Sequence, residues 1–150
     1  YVELILNLFP NAKFINCERD LIDSIFAIYG NFFDKMPWTH SIENILKYID
    51  QYLIIIDYFK KKYPKKIYSV QLKDLTQNSL DISKKLFKFC ELDWNKSSLE
   101  FYKRKNFISK TASNIQIRKK IYKYDTHKYK VYKEFLSDYA NTYPWLKKIL

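Results

Sequence analysis

A chain of 150 residues, 47% of them hydrophobic, is long enough for one domain with a buried core and too short for two ordinary ones. It contains no run of about 18 uncharged apolar residues, which excludes a membrane-spanning helix. The net charge of +11 invites a polyanion partner, yet only three of the 27 basic residues are arginines. Together with abundant Lys, Ile, Asn, Tyr and Phe this is the profile of an AT-rich coding sequence, so much of the charge reads as solvated background. Cys17 and Cys90 show no pairing pattern and no Cys-x-x-Cys. Two isolated thiols point to a reducing, cytoplasmic setting and to no zinc site.

Tyr1 to Leu8 has the character of a helix already under way, without an initiator Met or a charged signal-type start, and the expectation is a C-terminal fragment of a longer chain. Phe9-Pro10-Asn11 is a turn. Phe14, Ile15 and Cys17 make a short apolar run that reads as a buried strand over Lys13 to Glu18. From Asp20 the spacing of Leu21, Ile22, Ile25, Phe26 and Ile28 switches to a helical period that continues to about Phe33. Gly30, the only glycine, marks a bend or a C-cap in it. Met36 to His40 is a loop, and Ser41 caps a long helix with Glu43 in its first turn. Along that helix Ile42, Ile45, Leu46, Ile49, Leu53 and Ile56 keep one apolar face until Lys60-Lys61-Lys62 and Pro64 end it.

Lys66 to Leu72 is a second strand, and the succession strand, helices, strand predicts a right-handed parallel crossover. Asn78 caps a helix from Ser79 to Cys90, with Leu80, Leu86, Phe87 and Cys90 inward. Ser97 to Lys103 is a short helix, and Asn106 to Tyr124 has no clear period. Lys128 to Asn141 returns to helix with Tyr129, Tyr132, Leu136 and Tyr139 on one side, before a final turn at Pro144-Trp145. These elements define an α/β fold, a parallel sheet flanked by helices, as one partial domain over residues 1–150.

Arg19 falls where the first strand ends and a helix begins. In an open parallel sheet ligands collect outside the carboxyl ends of strands, where a helix N-terminus offers free N–H groups to an anion. An arginine there can hold a phosphate with two parallel hydrogen bonds. Taken alone, Arg19-Asp20 is also the pattern of a surface ion pair at a helix start.

Pro10-Asn11-Ala12-Lys13-Phe14-Ile15, three residues, then Arg19-Asp20 and a helix resembles the segment of PAPS-dependent sulfotransferases that grips the nucleotide 3′-phosphate. The bacterial tetratricopeptide-linked and tyrosylprotein-type branch is the most similar. A further stretch, Thr111-Ala112-Ser113-Asn114-Ile115-Gln116-Ile117-Arg118, then Ile121-Tyr122 and Lys128-Tyr129, resembles the family's bacterial pattern Thr-Ala-Ser, two residues, Gln-Val-Arg, later Ile-Tyr and a basic residue before Trp. The resemblance implies a P-loop-like fold and transfer of a sulfuryl group from PAPS to an unknown hydroxyl acceptor. It assigns the nucleotide to Arg19, Ser24, Ser113, Asn114, Gln116, Arg118 and Lys128, with no metal. The family's phosphosulfate loop and catalytic base belong near a strand expected upstream of Tyr1, so these residues alone are expected to be inactive and contribute no catalytic group.

Several positions depart from the family, Tyr129 in place of Trp among them. The serine expected eight residues beyond the arginine is Ala27, for which Ser24 is the nearby substitute; an unreplaced neutral donor to a charged phosphate costs roughly 1.5–3 kcal/mol. Leu72-Lys73-Asp74-Leu75 stands where the family has Tyr-Glu-Asp-Leu. Lys120 stands where a proline is common. Ala27 and Leu72 favour the alternative, a non-catalytic basic module that has lost catalysis or that holds nucleic acid. The tyrosines between Ile121 and Tyr139 alternate with lysines as stacking platforms do, although their spacing suits a helix packing face better. His40 has the chemistry of a base, and equally that of a local partner to the Ser41 cap.

Overall fold

The computed structural model describes residues 1–31, 33–104, 116–125 and 128–150. In chain order the regular elements are α1 (Val2–Leu8), β1 (Phe14–Glu18), α2 (Leu21–Gly30), α3 (Ile42–Lys62), β2 (Ile67–Gln71), α4 (Leu72–Gln77), α5 (Ser79–Phe89) and α6 (Pro144–Ile149). Short 3₁₀ turns lie between them, and a longer 3₁₀ segment spans Lys130–Tyr139. β1 and β2 are parallel, with Phe14 opposite Ile67 and Glu18 opposite Gln71. The result is a mixed α/β domain in which a small parallel sheet is flanked by helices.

The caps follow from the sequence. Asp20 precedes α2 and its side chain accepts from the Asp23 backbone N–H at 3.1 Å. Ser41 accepts from the Asn44 N–H at 3.4 Å at the start of α3. At the far end of α3, three lysines lie against the negative end of the helix dipole. A side-chain acceptor at these ends satisfies one of the amides left over by the helical ladder.

The core joins three distant parts of the chain. Ile22 and Ile25 of α2, Ile45, Leu46 and Ile49 of α3, Leu136 of the 3₁₀ segment and Leu146 of α6 form one buried cluster. Trp145 Nε1 donates to Asp50 Oδ1 at 3.0 Å, and Lys133 Nζ donates to the Ile149 carbonyl at 2.6 Å. The tail is thereby fastened to α2 and α3, the two helices that frame the end of β1.

Several expectations need correction. β1 is not buried on both faces: Phe14, Asn16 and Glu18 are half-buried, whereas Ile15 and Cys17 are exposed. Tyr52 of α3 donates to Asn16 Oδ1 at 2.8 Å on the covered face, and α5 shelters the other face only at β2, where Tyr68 meets Phe89. α2 stops at Gly30, with Asn31 as its C-cap, instead of continuing to Phe33. Asn78 holds the N-cap position of α5 but makes no side-chain cap bond, and Leu80 is exposed whereas Ser83 is the buried residue of the helix. Ser97 to Lys103 divides into two 3₁₀ turns, Lys96–Ser98 and Phe101–Lys103.

The tail coils as a 3₁₀ helix, in which positions three apart eclipse one another. That geometry stacks its aromatics into a ladder, with ring centroids 6.4 Å apart for Tyr129–Tyr132 and 6.3 Å for Tyr132–Phe135. Leu136 turns inward, while Tyr132 and Phe135 remain exposed.

Candidate functional site

β1 ends at Glu18 and α2 begins at Leu21, so Arg19 projects from the two-residue corner at the carboxyl end of a parallel strand. It borders a cavity of about 590 Å³ whose wall also includes Cys17, Ser24, Tyr52, Lys60 and Gln71. The Arg19 side chain is about one-third exposed, at 37%.

Arg19 is held from behind. Its Nε donates to the Tyr124 hydroxyl at 2.9 Å, and its guanidinium carbon lies 5.3 Å from the centre of the Tyr124 ring. The Tyr124 hydroxyl donates in turn to Asp23 Oδ2. Arg19 Nη2 stands 3.9 Å from that same oxygen, beyond hydrogen-bonding range. Asp23 is buried, and its Oδ1 has no hydrogen-bond partner among the described residues. Tyr124 is anchored by its own backbone N–H, which donates to Thr76 Oγ1 of α4 at 3.1 Å. Burial and the Asp23 carboxylate push the Tyr124 hydroxyl up to about 12, so it remains a protonated donor across the neutral range.

Glu18 shares the cavity wall, and its carboxylate is saturated. Oε1 accepts from Lys60 Nζ at 2.5 Å and Asn16 Nδ2 at 2.7 Å, while Oε2 accepts from Gln71 Nε2 at 2.5 Å. Burial raises its pKa, but donors led by Lys60 and Ser69 outweigh that and hold the carboxyl below its ordinary value. A carboxylate stabilised in its charged form is a weak general base. Glu18 therefore fits a framing role, joining β1, β2 and α3.

The structure brings some of the expected site residues together and separates others. Arg19 and Ser24 border the same cavity, but the Ser24 hydroxyl donates to the Asp20 carbonyl at 2.8 Å, inside the first turn of α2. Lys128 is exposed, 4.8 Å above the Tyr129 ring, which stacks on Phe26 of α2 at 6.2 Å. Tyr129 thus meets the helix that Arg19 introduces, roughly two turns further along, and carries Lys128 over its ring. The Arg118 side chain lines a different and smaller hollow of about 130 Å³ beside Phe101 and Arg104. Ser113, Asn114 and the side chain of Gln116 lie outside the described residues.

Leu72 opens α4 and lines a third cavity of about 470 Å³, with Thr76, Phe87, Ile121 and Tyr124 among its walls. The segment after Arg118 therefore runs beside α4 and ends at Arg19. His40 is exposed in the 3₁₀ turn Pro37–His40, in which Trp38 stacks on Tyr48 at 4.5 Å. Among the described residues no cluster of His, Cys, Asp or Glu could hold a metal ion, and no helix is long and apolar enough to cross a membrane.

Sequence reasoning missed Asp23 and Tyr124. Asp23 was readable as a carboxylate four residues after Arg19 on a helix start. Tyr124 carried no signal, since 105 residues separate it from Arg19.

A model described as "Sulfotransferase family" matches residues 1–96, from α1 through the turn that follows α5. The chain belongs to the sulfotransferase family. The match includes Arg19, Asp23 and Ser24 of this sulfotransferase-family domain and stops before Tyr124. An uncharacterized protein of Aquifex aeolicus (strain VF5) is 35% identical over 141 residues, which is 91% of this chain and 18% of that protein. The chain thus spans less than a fifth of the length of that relative.

Proposed function

We propose that the protein transfers a sulfuryl group from PAPS to a hydroxyl acceptor and that the residues around Arg19 bind the 3′-phosphate of the nucleotide. The observation that carries this is the Arg19 guanidinium, fixed at the carboxyl end of β1 beside a cavity of about 590 Å³, with its Nε engaged by Tyr124. Its terminal nitrogens make no hydrogen bond among the described residues and are the donors left for a ligand. A guanidinium presents two of them in parallel, which matches two oxygens of one phosphate. The cavity falls within the range of pockets that bind small molecules and cofactors.

When bound, PAPS supplies an activated sulfuryl group and leaves adenosine 3′,5′-bisphosphate. In this reading Arg19 neutralises the 3′-phosphate and fixes the nucleotide register. Lys128 adds positive charge from the tail side of α2. Ser24 contributes a donor only by giving up its bond to the Asp20 carbonyl. No base is assigned among the described residues, because Glu18 is committed to Lys60, Asn16 and Gln71.

The second reading is a domain of this family that binds without catalysing. It is favoured by the Ser24 hydroxyl facing its own helix and by Ala27 and Leu72 in place of polar groups. Radiolabelled PAPS incubated with the intact protein and a panel of hydroxyl acceptors separates the two. Label transfer supports the enzyme, saturable binding without transfer supports the non-catalytic domain, and absence of PAPS binding refutes both.

A further inference from the structure

We infer that Tyr124 is a positioning residue whose hydroxyl, inserted between Arg19 and the buried Asp23 carboxylate, keeps the guanidinium available to an incoming anion. This rests on the reading that Arg19 is the anion-binding group. The geometry explains why such a spacer is needed. Asp23 is a buried carboxylate on the same helix start, and its side chain is only 1% exposed. The pair stands four residues apart, a spacing at which opposite charges on a helix readily meet.

An arginine in direct contact with that carboxylate would give its charge and its paired N–H groups to Asp23. In the structure the two groups form only a long ion pair, with Nη2 and Oδ2 3.9 Å apart and no direct hydrogen bond between them. The relay Arg19 Nε–H to Tyr124 O–H to Asp23 takes its place. Two needs are met together. Asp23 receives a donor, without which a buried carboxylate is costly. Arg19 commits only its inner nitrogen to a hydrogen bond among the described residues, which leaves the hydrogen-bonding capacity of the outer two for a ligand.

The backbone bond from Tyr124 to Thr76 holds this spacer from α4. The position of the phosphate-binding group therefore depends on the segment between Arg118 and Asp125 being in place. Displacement of that segment would allow Asp23 to capture Arg19, so correct docking of the segment and readiness of the anion site are one event.

Tyr124→Phe keeps the ring over Arg19 and removes only the hydroxyl. In that variant Asp23 lacks its donor, and the guanidinium, 3.9 Å away, is the group positioned to replace it. The expected result is about a tenfold loss of affinity for adenosine 3′,5′-bisphosphate, with affinity for adenosine 5′-monophosphate unchanged. Adding Asp23→Asn removes the competing charge, and Tyr124→Phe is then expected to cost less than threefold, a coupling that a purely structural role for Tyr124 would not produce. The probes are these two nucleotides, titrated calorimetrically into the intact protein.

Equal loss for both nucleotides, or no loss for either, overturns the inference. Failure of the underlying reading looks different: Arg19→Ala would leave the preference for the 3′-phosphorylated nucleotide intact. Should Tyr124→Phe not fold, the Arg19 Nε–H resonance of the wild-type protein decides. Slow exchange before and after bisphosphate addition supports the relay, and transfer of that N–H from Tyr124 to the ligand contradicts it.

Discussion

Leu136→Ala tests whether the tail belongs to the structure that frames the Arg19 corner. Leu136 is fully buried among side chains from α2, α3 and α6. Truncation to Ala removes three carbons, about 2.4 kcal/mol at ~0.8 kcal/mol for each buried methylene. The void left between rigid helices raises the cost, so the expected loss is about 2–5 kcal/mol. For a chain of this length that corresponds to a fall in Tm of about 5–15 °C. The neighbouring Phe135, which is 72% exposed, provides the control. Phe135→Ala is expected to change stability by less than about 0.5 kcal/mol. Urea denaturation followed by circular dichroism reads both variants in one experiment. Comparable small effects would refute the packing of the tail on α2 and α3, and with it the stacking of Tyr129 on Phe26.

Ser41→Ala removes the acceptor for the Asn44 amide and is expected to lower stability by about 1 kcal/mol, with Ser41→Asp retaining wild-type stability in the same denaturation assay. Trp145→Phe keeps one aromatic ring of the two and leaves Asp50 without its indole donor, for an expected loss of at least about 1.5–3 kcal/mol measured by urea midpoint. Acid titration should expose Glu18. Its folded pKa lies below the ordinary 4.5, so its contribution is present above about 4.5 and is lost as pH falls through the folded value. Glu18→Gln is therefore expected to flatten the decline in stability below that pH, and an unchanged acid profile would contradict the network joining β1, β2 and α3.

The parts legible in the sequence were those fixed by local chemistry. Ser41, the apolar spacing after it and the lysine run before Pro64 bounded α3 within a residue of its observed ends, Ile42 and Lys62. The corner at Arg19 was readable because an apolar run gave way to helical spacing immediately after Asp20. What failed depended on neighbours remote in sequence. Whether Ile15 and Cys17 are covered is decided by what packs over β1, and a five-residue run cannot show that. The 3₁₀ course of the tail goes with aromatic contacts to Phe26, remote in sequence, whereas the spacing of its residues fits either helix type. Periodicity predicts Leu80 inward, but it is exposed, while Trp94, eleven residues beyond Ser83, donates from Nε1 to Ser83 Oγ at 2.9 Å, a contact that helical spacing does not reveal.

The candidate site divided in the same way. Arg19 could be found from its place between two elements. Its orientation could not, because it is governed by Tyr124 and by a relay through a buried carboxylate. Arg118 matched the family pattern residue for residue, yet its side chain lines the hollow near Phe101 and Arg104. A motif fixes the order of residues along the chain, and the direction of each side chain depends on packing that the motif does not encode.

The central claim is that Arg19 recognises a phosphate on the 3′ side of a nucleotide. Calorimetric titration of the wild-type protein and of Arg19→Ala with adenosine 3′,5′-bisphosphate and with adenosine 5′-monophosphate tests it most directly. The account predicts that the wild type prefers the bisphosphate by about 10- to 100-fold, the equivalent of roughly 1.5–3 kcal/mol for charge-assisted hydrogen bonds, and that Arg19→Ala abolishes the preference. Equal affinity of the wild type for the two nucleotides, or a preference that survives in Arg19→Ala, would contradict it.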